Sequence, residues 1–580
     1  MRDLLPLERD LAALVDERTR GNPLFVLRLL GDWVSGGRLE QGPDGLRLRD
    51  GGPADLPDDL HQLWNDLVER ALAGQPPEVG VALELAAALG QDVSMDEWAD
   101  VCARSGVGKG AGPPHDFPGC VDTDGPAPAW IEEIVDHLVV RHLARRPVER
   151  AERRFAFVHG MLRECLVRRA AAAGRIERHQ RRCADMLWGR PGHGMEERRG
   201  QHLLAAGDGR AALGPLFDAA AERHLSGDFG LAAGLLARAS EAISLADLPP
   251  DDERRGELAV RRARLAEYRG RIAQAERWAI EARQLAEART WPRVLGGVLH
   301  ELGRIRRVQG RLAEALGLLE RAIATTALTG DHYREGHSEL DRGRVLCNLG
   351  RIGEAGGAID TARRIFDRHG FKVPSIWSRI AQAELALTTG DTGAALALAA
   401  KAEDEYTALD HLHGRAYSSA ALALILRHRG ALPEAEERCR YAIEQFDLLD
   451  HAEAPVQRLN LAQILWEKGA AGPALPILEE QVSVFSADGR AIYEVRGRAM
   501  LAAAAAASRE WRRRDVEFGR VRAILRVSAL IDPDVTRALD LARRAAGSAG
   551  SHRRALAALD AIQDEVAARP SDPDRLREAP

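Results

Sequence analysis

Residues 299–322 read LHELGRIRRVQGRLAEALGLLERA, and residues 339–362 read ELDRGRVLCNLGRIGEAGGAIDTA. Both segments carry a glycine, an alanine five residues later and a second alanine seven residues after that. The glycine recurs at spacings of 40, 40, 40, 40 and 39 residues, as Gly270, Gly310, Gly350, Gly390, Gly430 and Gly469. Self-similarity at a fixed period predicts a solenoid of stacked repeats.

The spacing within one block indicates a pair of helices. Each block of about 40 residues contains two helical segments, and the glycine between them suits the left-handed position just past a helix end. Twelve residues before the first alanine stands another small residue, namely Ala263, Gly303, Gly343, Ala383, Ala423 or Ala462. Small residues at fixed points let two helices approach closely, and stacked neighbours then share one continuous core.

This pattern resembles the tetratricopeptide repeat, which has small residues at its eighth, twentieth and twenty-seventh positions. The blocks here are longer than the usual repeat of about 34 residues. The resemblance implies a mostly all-α fold, a tetratricopeptide-like right-handed α-solenoid. We expect it to span residues 191–580, with regular repeats over about 256–485 and degenerate capping repeats on either side.

Composition agrees with helix packing and limits the possible partners. Of 580 residues, 45% are hydrophobic but only 5% are aromatic, which argues against a β-rich fold. The net charge of −6 gives no global field toward nucleic acid or an anionic membrane. The six cysteines form no CxxC pair, so we expect reduced thiols. Without a signal-peptide pattern at the N-terminus, we expect a cytoplasmic protein with no membrane partner.

Two segments before the repeats resemble the STAND class, the signal-transducing NTPases with numerous domains. GNPLFVLRLL, residues 21–30, is similar to the lid that follows the ATPase core in that class. The segment Phe155–Leu166, with His159, Arg163 and Glu164, is similar to the end of its winged helix. The resemblance implies a lid remnant and hairpin over 1–54, and a winged-helix-like α+β domain over 55–190 with a Gly/Pro-rich loop at 105–128.

Motifs for catalysis or cofactor binding are incomplete. The GVGKG segment at 106–110 has Ala103 and Gly110 where a P-loop needs glycine and Ser or Thr. His300-Glu301 begins a zinc-protease pattern, but Arg304 stands where the second histidine should be. We therefore expect no catalytic residues, no cofactor and no metal site, and we predict that the chain is not an enzyme.

Basic patches raise the question of nucleic acid, because winged helices often bind DNA. Arg512-Arg513-Arg514 is followed by Asp515, and Arg145–Arg154 includes Glu149 and Glu152. Interleaved acidic residues favour a solvated helix face over a nucleic-acid surface. A nucleic-acid partner is not expected.

The concave face of the solenoid is the candidate binding site. By analogy with tetratricopeptide arrays, the residue after the first small position points into the groove, which gives Arg264, Arg304 and Arg344 in three consecutive repeats. Arginine forks suit carboxylate or phosphate. The predicted partner-binding residues are Arg264, His300, Arg304, Arg307, Arg344, Asn348, Trp377, Tyr417, Arg427 and Trp466. The alternative is that these arginines pair with neighbouring acids such as Glu267 and Glu301.

The STAND resemblance implies that the repeats sense a ligand, while a separate ATPase core acts as the switch. Because the P-loop is missing, this chain should be the sensing half, a scaffold in bacterial signalling that binds a protein or an acidic peptide beside a separate kinase or ATPase subunit. The alternative is a small-molecule-sensing arm of a split or truncated STAND ATPase, kinase or transcriptional regulator. A scaffold predicts an open groove, and a small-molecule sensor predicts a closed pocket.

Overall fold

A computed structural model describes most of the chain. The described residues are 8, 11–12, 15, 26, 30, 33–34, 39–42, 45–49, 60–107, 129–147 and 153–546. Most of the lid-like segment 21–30, and the predicted loop from 108 to 128, lie outside them. The chain divides into two compact units, Met1–Pro215 and Leu216–Pro580. The predicted boundaries near residues 54 and 190 stay predictions.

The first unit combines helices with two small antiparallel sheets. Strands β1 (Leu39–Gly42) and β2 (Gly45–Leu48) form the hairpin that we predicted within 36–52. Strands β3 (Asp92–Ser94), β4 (Ala144–Arg145) and β5 (Arg154–Phe157) form a sheet in the order β3-β5-β4. The helices are α1 (Leu60–Leu72), α2 (Pro77–Leu89), α3 (Met95–Arg104), α4 (Ala129–Val140), α5 (Gly160–Ala172), α6 (Ile176–Leu187) and α7 (Met195–Ala205).

His159 begins helix α5 by capping it. Its Nδ1 accepts a hydrogen bond from the Met161 N–H at 3.1 Å, and its ring stacks on Trp64 with centroids 5.3 Å apart. Trp64, Trp98 and Phe155 are fully buried in the core beneath the sheet. His159 is therefore a capping and packing residue at the start of helix α5. The assignment of this unit as a winged helix stays a prediction.

Helix α8 (Gly209–Ser226) crosses the unit boundary, and the second unit continues as a succession of antiparallel helices. They are α9 (Phe229–Leu245), α10 (Glu253–Tyr268), α11 (Ile272–Arg289), α12 (Pro292–Val308), α13 (Leu312–Thr329), α14 (His332–Asn348), α15 (Ile352–Arg368), α16 (Lys372–Thr388), α17 (Thr392–Ala408), α18 (Leu412–His428), α19 (Leu432–Leu448), α20 (Glu453–Glu467), α21 (Ala471–Asp488), α22 (Ala491–Ala507), α23 (Trp511–Ser528) and α24 (Pro533–Ala546). No helix among the described residues is long and apolar enough to cross a membrane.

The glycines and small residues of the repeat signature occupy the turns and helix contacts that their spacing predicts. The six glycines have φ between +73° and +85°, the left-handed conformation that ends one helix and starts the next. A Cβ on Gly303 would lie 2.7 Å from Leu319, and one on Gly343 would lie 2.6 Å from Ile359. The predicted tetratricopeptide-like α-solenoid is confirmed, and its helix pairs cross where the small residues stand.

Helices α22 and α23 form a further regular pair beyond Phe485, where we predicted that the period loosens. Arg509 occupies the turn position with φ of 62°, a conformation that glycine adopts in the other repeats. Arg514 is buried where the other repeats have alanine, with its guanidinium 4.9 Å from the Trp511 ring centroid. The sequence signal fails in this repeat because both marker residues are replaced.

The array coils so tightly that its second turn contacts its first. The Ala452 N–H donates to the Tyr268 carbonyl at 2.8 Å, and the Ile531 N–H donates to the Asn348 carbonyl at 2.8 Å. Arg269 pairs with Asp450, 181 residues further along the chain, which is between four and five repeats. The concave face of the unit is therefore narrowed to a partly open cavity between the two turns.

The tight helix contacts generate a stability prediction with a matched control. In Gly414→Ala, the new methyl group would overlap the buried ring of Tyr406, so we expect the free energy of unfolding to fall by about 1–3 kcal/mol. In Gly317→Ala, nothing lies within 4 Å of the new methyl group, so we expect a gain of about 0.5–1 kcal/mol from helix propensity. Urea denaturation measures both, and equal shifts would contradict the packing argument.

Candidate binding site

A cavity of about 460 Å³ lies inside the array, between its first and second turns. Helices α10, α12, α14 and α16 contribute Tyr268, Arg304, Arg307, Arg344, Asn348 and Trp377. Helices α18, α20, α22 and α24, with the segment before α24, contribute Tyr417, Leu424, Glu453, Arg496, Asp532 and Asp534. This volume lies in the range of sites that enclose small ligands.

Of the six repeat-equivalent positions that we predicted to point inward, four line the cavity, whereas Gln463 lines a separate small pocket. Arg304, Arg344, Glu384 and Leu424 all line the cavity. Arg264, from the preceding repeat, lies in a smaller pocket that adjoins it. The offset from the small residue therefore identifies the inner face of the array.

The three arginines of this face are paired with acids in the structure. Arg264 Nε lies 2.6 Å from Glu301 Oε1, and Arg304 Nη2 lies 2.5 Å from Glu267 Oε2. Arg344 Nη1 lies 3.5 Å from Asp341 Oδ1. This is the alternative arrangement raised from the sequence, and it leaves these guanidinium groups with less capacity for an external anion.

His300 joins these pairs into one buried network. Its Nε2 lies 2.9 Å from Asp341 Oδ2, and its Nδ1 lies 3.5 Å from Glu301 Oε1. Burial raises the pKa of Glu301, but Arg264 and His300 outweigh it and hold that pKa well below its usual range. Burial likewise raises the pKa of Asp341, and the hydrogen bond from His300 outweighs it and lowers the pKa. Glu301 and Asp341 therefore stay ionised inside the array.

The two carboxylates also act on the imidazole of His300. Burial lowers the pKa of His300, whereas the hydrogen bonds to Asp341 and Glu301 raise it, and the pKa lies above its ordinary value of 6.5. His300, Asp341 and Glu301 thus stabilise one another only while all three carry charge.

Four buried polar atoms at the cavity wall have no hydrogen-bond partner within the described part of the chain, namely Arg307 Nε, Asn348 Oδ1, Trp377 Nε1 and Arg496 Nε. Of these, Arg496 is already paired with Asp534 through its Nη2. Arg307 follows Arg304 by three residues, about one helical turn, and forms no ion pair within 4.0 Å among the described residues. The wall therefore offers one cation, one hydrogen-bond acceptor and one neutral donor to a ligand.

Aromatic rings from both turns line the same space. The rings of Trp377 and Tyr417 lie 5.3 Å apart, and the Tyr417 ring lies 5.6 Å from that of His451. Tyr268 lies edge-on to His451 at 5.3 Å and carries the Arg304 guanidinium 4.4 Å from its ring centroid. Burial holds the pKa of His451 well below 6.5, so this wall presents neutral, flat surfaces.

Two residues of the predicted groove lie elsewhere. Arg427 is buried between Glu467 at 2.8 Å and Asp534 at 2.7 Å. Trp466 lines a separate small pocket beside helix α24. The structure thus brings six of the ten predicted residues to the main cavity, namely Arg304, Arg307, Arg344, Asn348, Trp377 and Tyr417, and places Arg264 and His300 in the adjoining pocket.

Sequence reasoning missed the wall that comes from the second turn. Arg496 lies 2.7 Å from Asp534, and both line the cavity with Asp532. Arg496 belongs to the repeat that lacks the glycine marker. Asp534 belongs to helix α24, and Asp532 lies just before that helix. Their position depends on the superhelical pitch, for which the repeat period carries no signal.

No protein-family model and no curated protein matches the chain. Among solved structures, a STAND protein with a tetratricopeptide repeat sensor from Pyrococcus horikoshii is similar over 81% of this chain and 68% of its own, at 14% identity and a TM-score of 0.38. A Rap protein complexed with competence and sporulation factor is similar over 62% of this chain and 99% of its own, at 12% identity and a TM-score of 0.45. A tetratricopeptide repeat protein from Parabacteroides merdae covers 50% of this chain at 15% identity, with a TM-score of 0.28.

The buried network generates a prediction about stability. Glu301→Gln removes the charge that faces Arg264 and His300, and we expect a loss of about 3–5 kcal/mol in the free energy of unfolding because buried cations are left without their partner. Glu287→Gln makes the same chemical change in an exposed pair with Arg283 and should cost no more than ~1 kcal/mol. Denaturant titration distinguishes them, and similar losses would show that the network does not stabilise the array.

The raised pKa of His300 predicts a pH dependence. Its contribution to stability is present below pH 6.5, the ordinary value, and is lost as the pH rises through the raised pKa. We expect the Tm of the chain to fall between pH 6.5 and 9, and this fall to be smaller in His300→Gln. Calorimetry across that range is the measurement. An identical slope in the variant would contradict the assignment of His300 as the group that titrates.

Proposed function

We propose that the second unit is a non-enzymatic binding scaffold, whose inner cavity captures a short extended segment of a partner protein or a free peptide. The observation that carries this proposal is the enclosed cavity, with aromatic walls and unpaired polar groups contributed by several repeats. A helical array with such a cavity positions many side chains around one ligand.

The size of the cavity limits the ligand. About 460 Å³ is too small for a folded domain, but it accommodates a few residues of an extended chain. The contact between turns also excludes docking of a wide surface against the concave face. A segment that threads between the turns is the form of protein ligand that suits this geometry.

The chemistry of the wall defines what such a segment should carry. Arg307 suits an acidic side chain or a terminal carboxylate, because a charge-assisted hydrogen bond is stronger than a neutral one. Asn348 Oδ1 can accept a hydrogen bond from a peptide N–H, and Trp377 with Tyr417 can hold an apolar side chain. We therefore favour a short peptide with an acidic group and an apolar anchor.

A small molecule is the second candidate, and the enclosure of the site supports it. We predicted an open groove for a protein scaffold and a closed pocket for a small-molecule sensor, and the cavity lies between two turns of the array. A metabolite with an anionic group could use the same Arg307 and aromatic rings. The two candidates share a site and differ in the length of the ligand.

The wider setting of the proposal rests on the sequence resemblance. We infer that the chain is the sensing part of a STAND-type system in bacterial signalling, that it acts in the cytoplasm, and that it works with a separate kinase or ATPase. Helices with a three-stranded antiparallel sheet in the first unit support a winged-helix joint. The first unit precedes the repeat array in the chain, which is the order that the STAND resemblance implies.

Arg307→Gln tests the proposed site. Reversing charge at Arg304, our first choice from the sequence, would break buried pairs, whereas Arg307 forms no ion pair within the described chain. We expect affinity for a peptide selected from a random seven-residue library to fall about 10–100-fold, the effect of one charge-assisted hydrogen bond. Arg311→Gln, in an exposed pair with Glu314, is the control and should bind normally.

Calorimetric titration and thermal shift separate the two candidates. A selected peptide that loses affinity in Arg307→Gln but not in Arg311→Gln supports the peptide site. Stabilisation by a metabolite panel, with no peptide selected, would favour the small-molecule sensor. Binding that is equal in both variants would overturn the assignment of this cavity.

A further inference from the structure

A second cavity of about 350 Å³ lies near the start of the array, between helices α8, α9, α10 and the beginning of α14. Its wall is mainly apolar and is formed by Ala220, Ala232, Leu236, Val260 and Leu265. Water in such a space would have few polar partners, which favours an apolar occupant. Its volume again falls in the range of small-ligand sites.

The polar groups of this cavity gather at one end. Arg264, His224 and Tyr333 line both this cavity and a narrow pocket of about 30 Å³ that also contains Arg304 and His300. That pocket in turn shares residues with the main cavity. The buried ion network therefore separates the apolar cavity from the site described above.

Arg264, which lines both spaces, has one guanidinium nitrogen without a hydrogen-bond partner among the described residues. Its Nε is used by Glu301 at 2.6 Å, whereas its Nη2 is buried and has no hydrogen-bond partner among the described residues. The other two arginines of the wall are occupied, Arg261 by Glu257 at 2.9 Å and Arg334 by Asp331 at 2.8 Å. A buried donor without an acceptor is costly unless a ligand supplies one.

Two neighbouring side chains, Tyr333 and His224, can donate hydrogen bonds and are themselves uncharged. Burial raises the pKa of Tyr333 to about 12, so its phenol keeps its proton at neutral pH. Burial also holds the pKa of His224 well below 6.5, so its imidazole is neutral. Three arginines and one aspartate line the cavity, and since Arg261 and Arg334 are paired with acids, Arg264 Nη2 is the cationic donor that remains for an anion at its polar end.

We propose that this cavity binds a small apolar carboxylate. The alkyl part lies against the leucine, valine and alanine wall, and the carboxylate accepts hydrogen bonds from Arg264 Nη2 and the Tyr333 hydroxyl. The site is separate from the main cavity, so the proposal stands or falls independently of the function proposed above. A saturated chain of roughly eight to ten carbons suits a cavity at the lower end of the small-ligand range.

Calorimetric titration of the full chain with octanoate, octanol and octylamine at neutral pH is the experiment. We expect octanoate to bind at one site, octanol at least tenfold more weakly and octylamine not at all. Tyr333→Phe, which keeps the ring, and Arg264→Lys, which keeps the charge beside Glu301, should each weaken octanoate but not octanol. Octanol binding as tightly as octanoate would overturn the recognition of an anion.

A bulky residue at the rim locates the site. Ala221 is exposed and lines the cavity, so Ala221→Trp should abolish octanoate binding without disturbing the core. Ala237→Trp places the same side chain at an exposed position of α9 that does not line the cavity, and it should bind normally. Unchanged binding in Ala221→Trp, or no binding by the parent chain, would overturn the proposal. Loss of peptide binding in Arg307→Gln would leave it unaffected.

Discussion

Contact between successive turns of the array is the constraint on which the candidate sites depend. Backbone hydrogen bonds join Tyr268 to Ala452 and Asn348 to Ile531, and an ion pair joins Arg269 to Asp450. Helices of 14 to 18 residues, crossing closely at glycine and alanine, set the rotation between repeats that brings these residues together. A wider coil would leave an open groove, whereas this one encloses a cavity.

Enclosure changes what the charged residues can do. In an open groove Arg264 and Arg304 would face solvent, where ion pairs contribute little. Inside the coil they lie against Glu301 and Glu267 in a buried network that also includes His300 and Asp341. Removing one member leaves its partner unpaired, so these residues stabilise the array. Groups outside the network, such as Arg307, are therefore the ones available to bind a ligand.

The same network separates two kinds of space. On one side lies the main cavity, with aromatic rings and mixed charge, and on the other lies the smaller, apolar cavity. Arg264 lines the apolar cavity, contacts Glu301 through Nε and leaves its Nη2 without a hydrogen-bond partner among the described residues. A single charged partition can thus support two sites of different chemistry within one array.

The repeat period was enough to predict the helices and the left-handed glycine turns, because both depend on local spacing. The inward position of residues such as Arg344 came from the analogy with tetratricopeptide arrays. A further repeat escaped the prediction because Arg509 and Arg514 replace its two marker residues. A residue other than glycine can adopt the same left-handed turn when packing supports it. The pairing of Arg304 with Glu267 was open, because sequence spacing cannot choose between a solvent-facing and a buried rotamer.

The sequence by itself determined that this protein is a helical solenoid, which follows from the 40-residue period. The resemblance to tetratricopeptide arrays supplied the inward-facing position in the first helix of each pair. The tertiary structure decided how tightly the solenoid coils, and hence that Arg496 and Asp532 join Arg307 at one cavity while Arg427 and Trp466 do not. The physical reason is that superhelical pitch sums small rotations over four to five repeats. No single repeat records that sum.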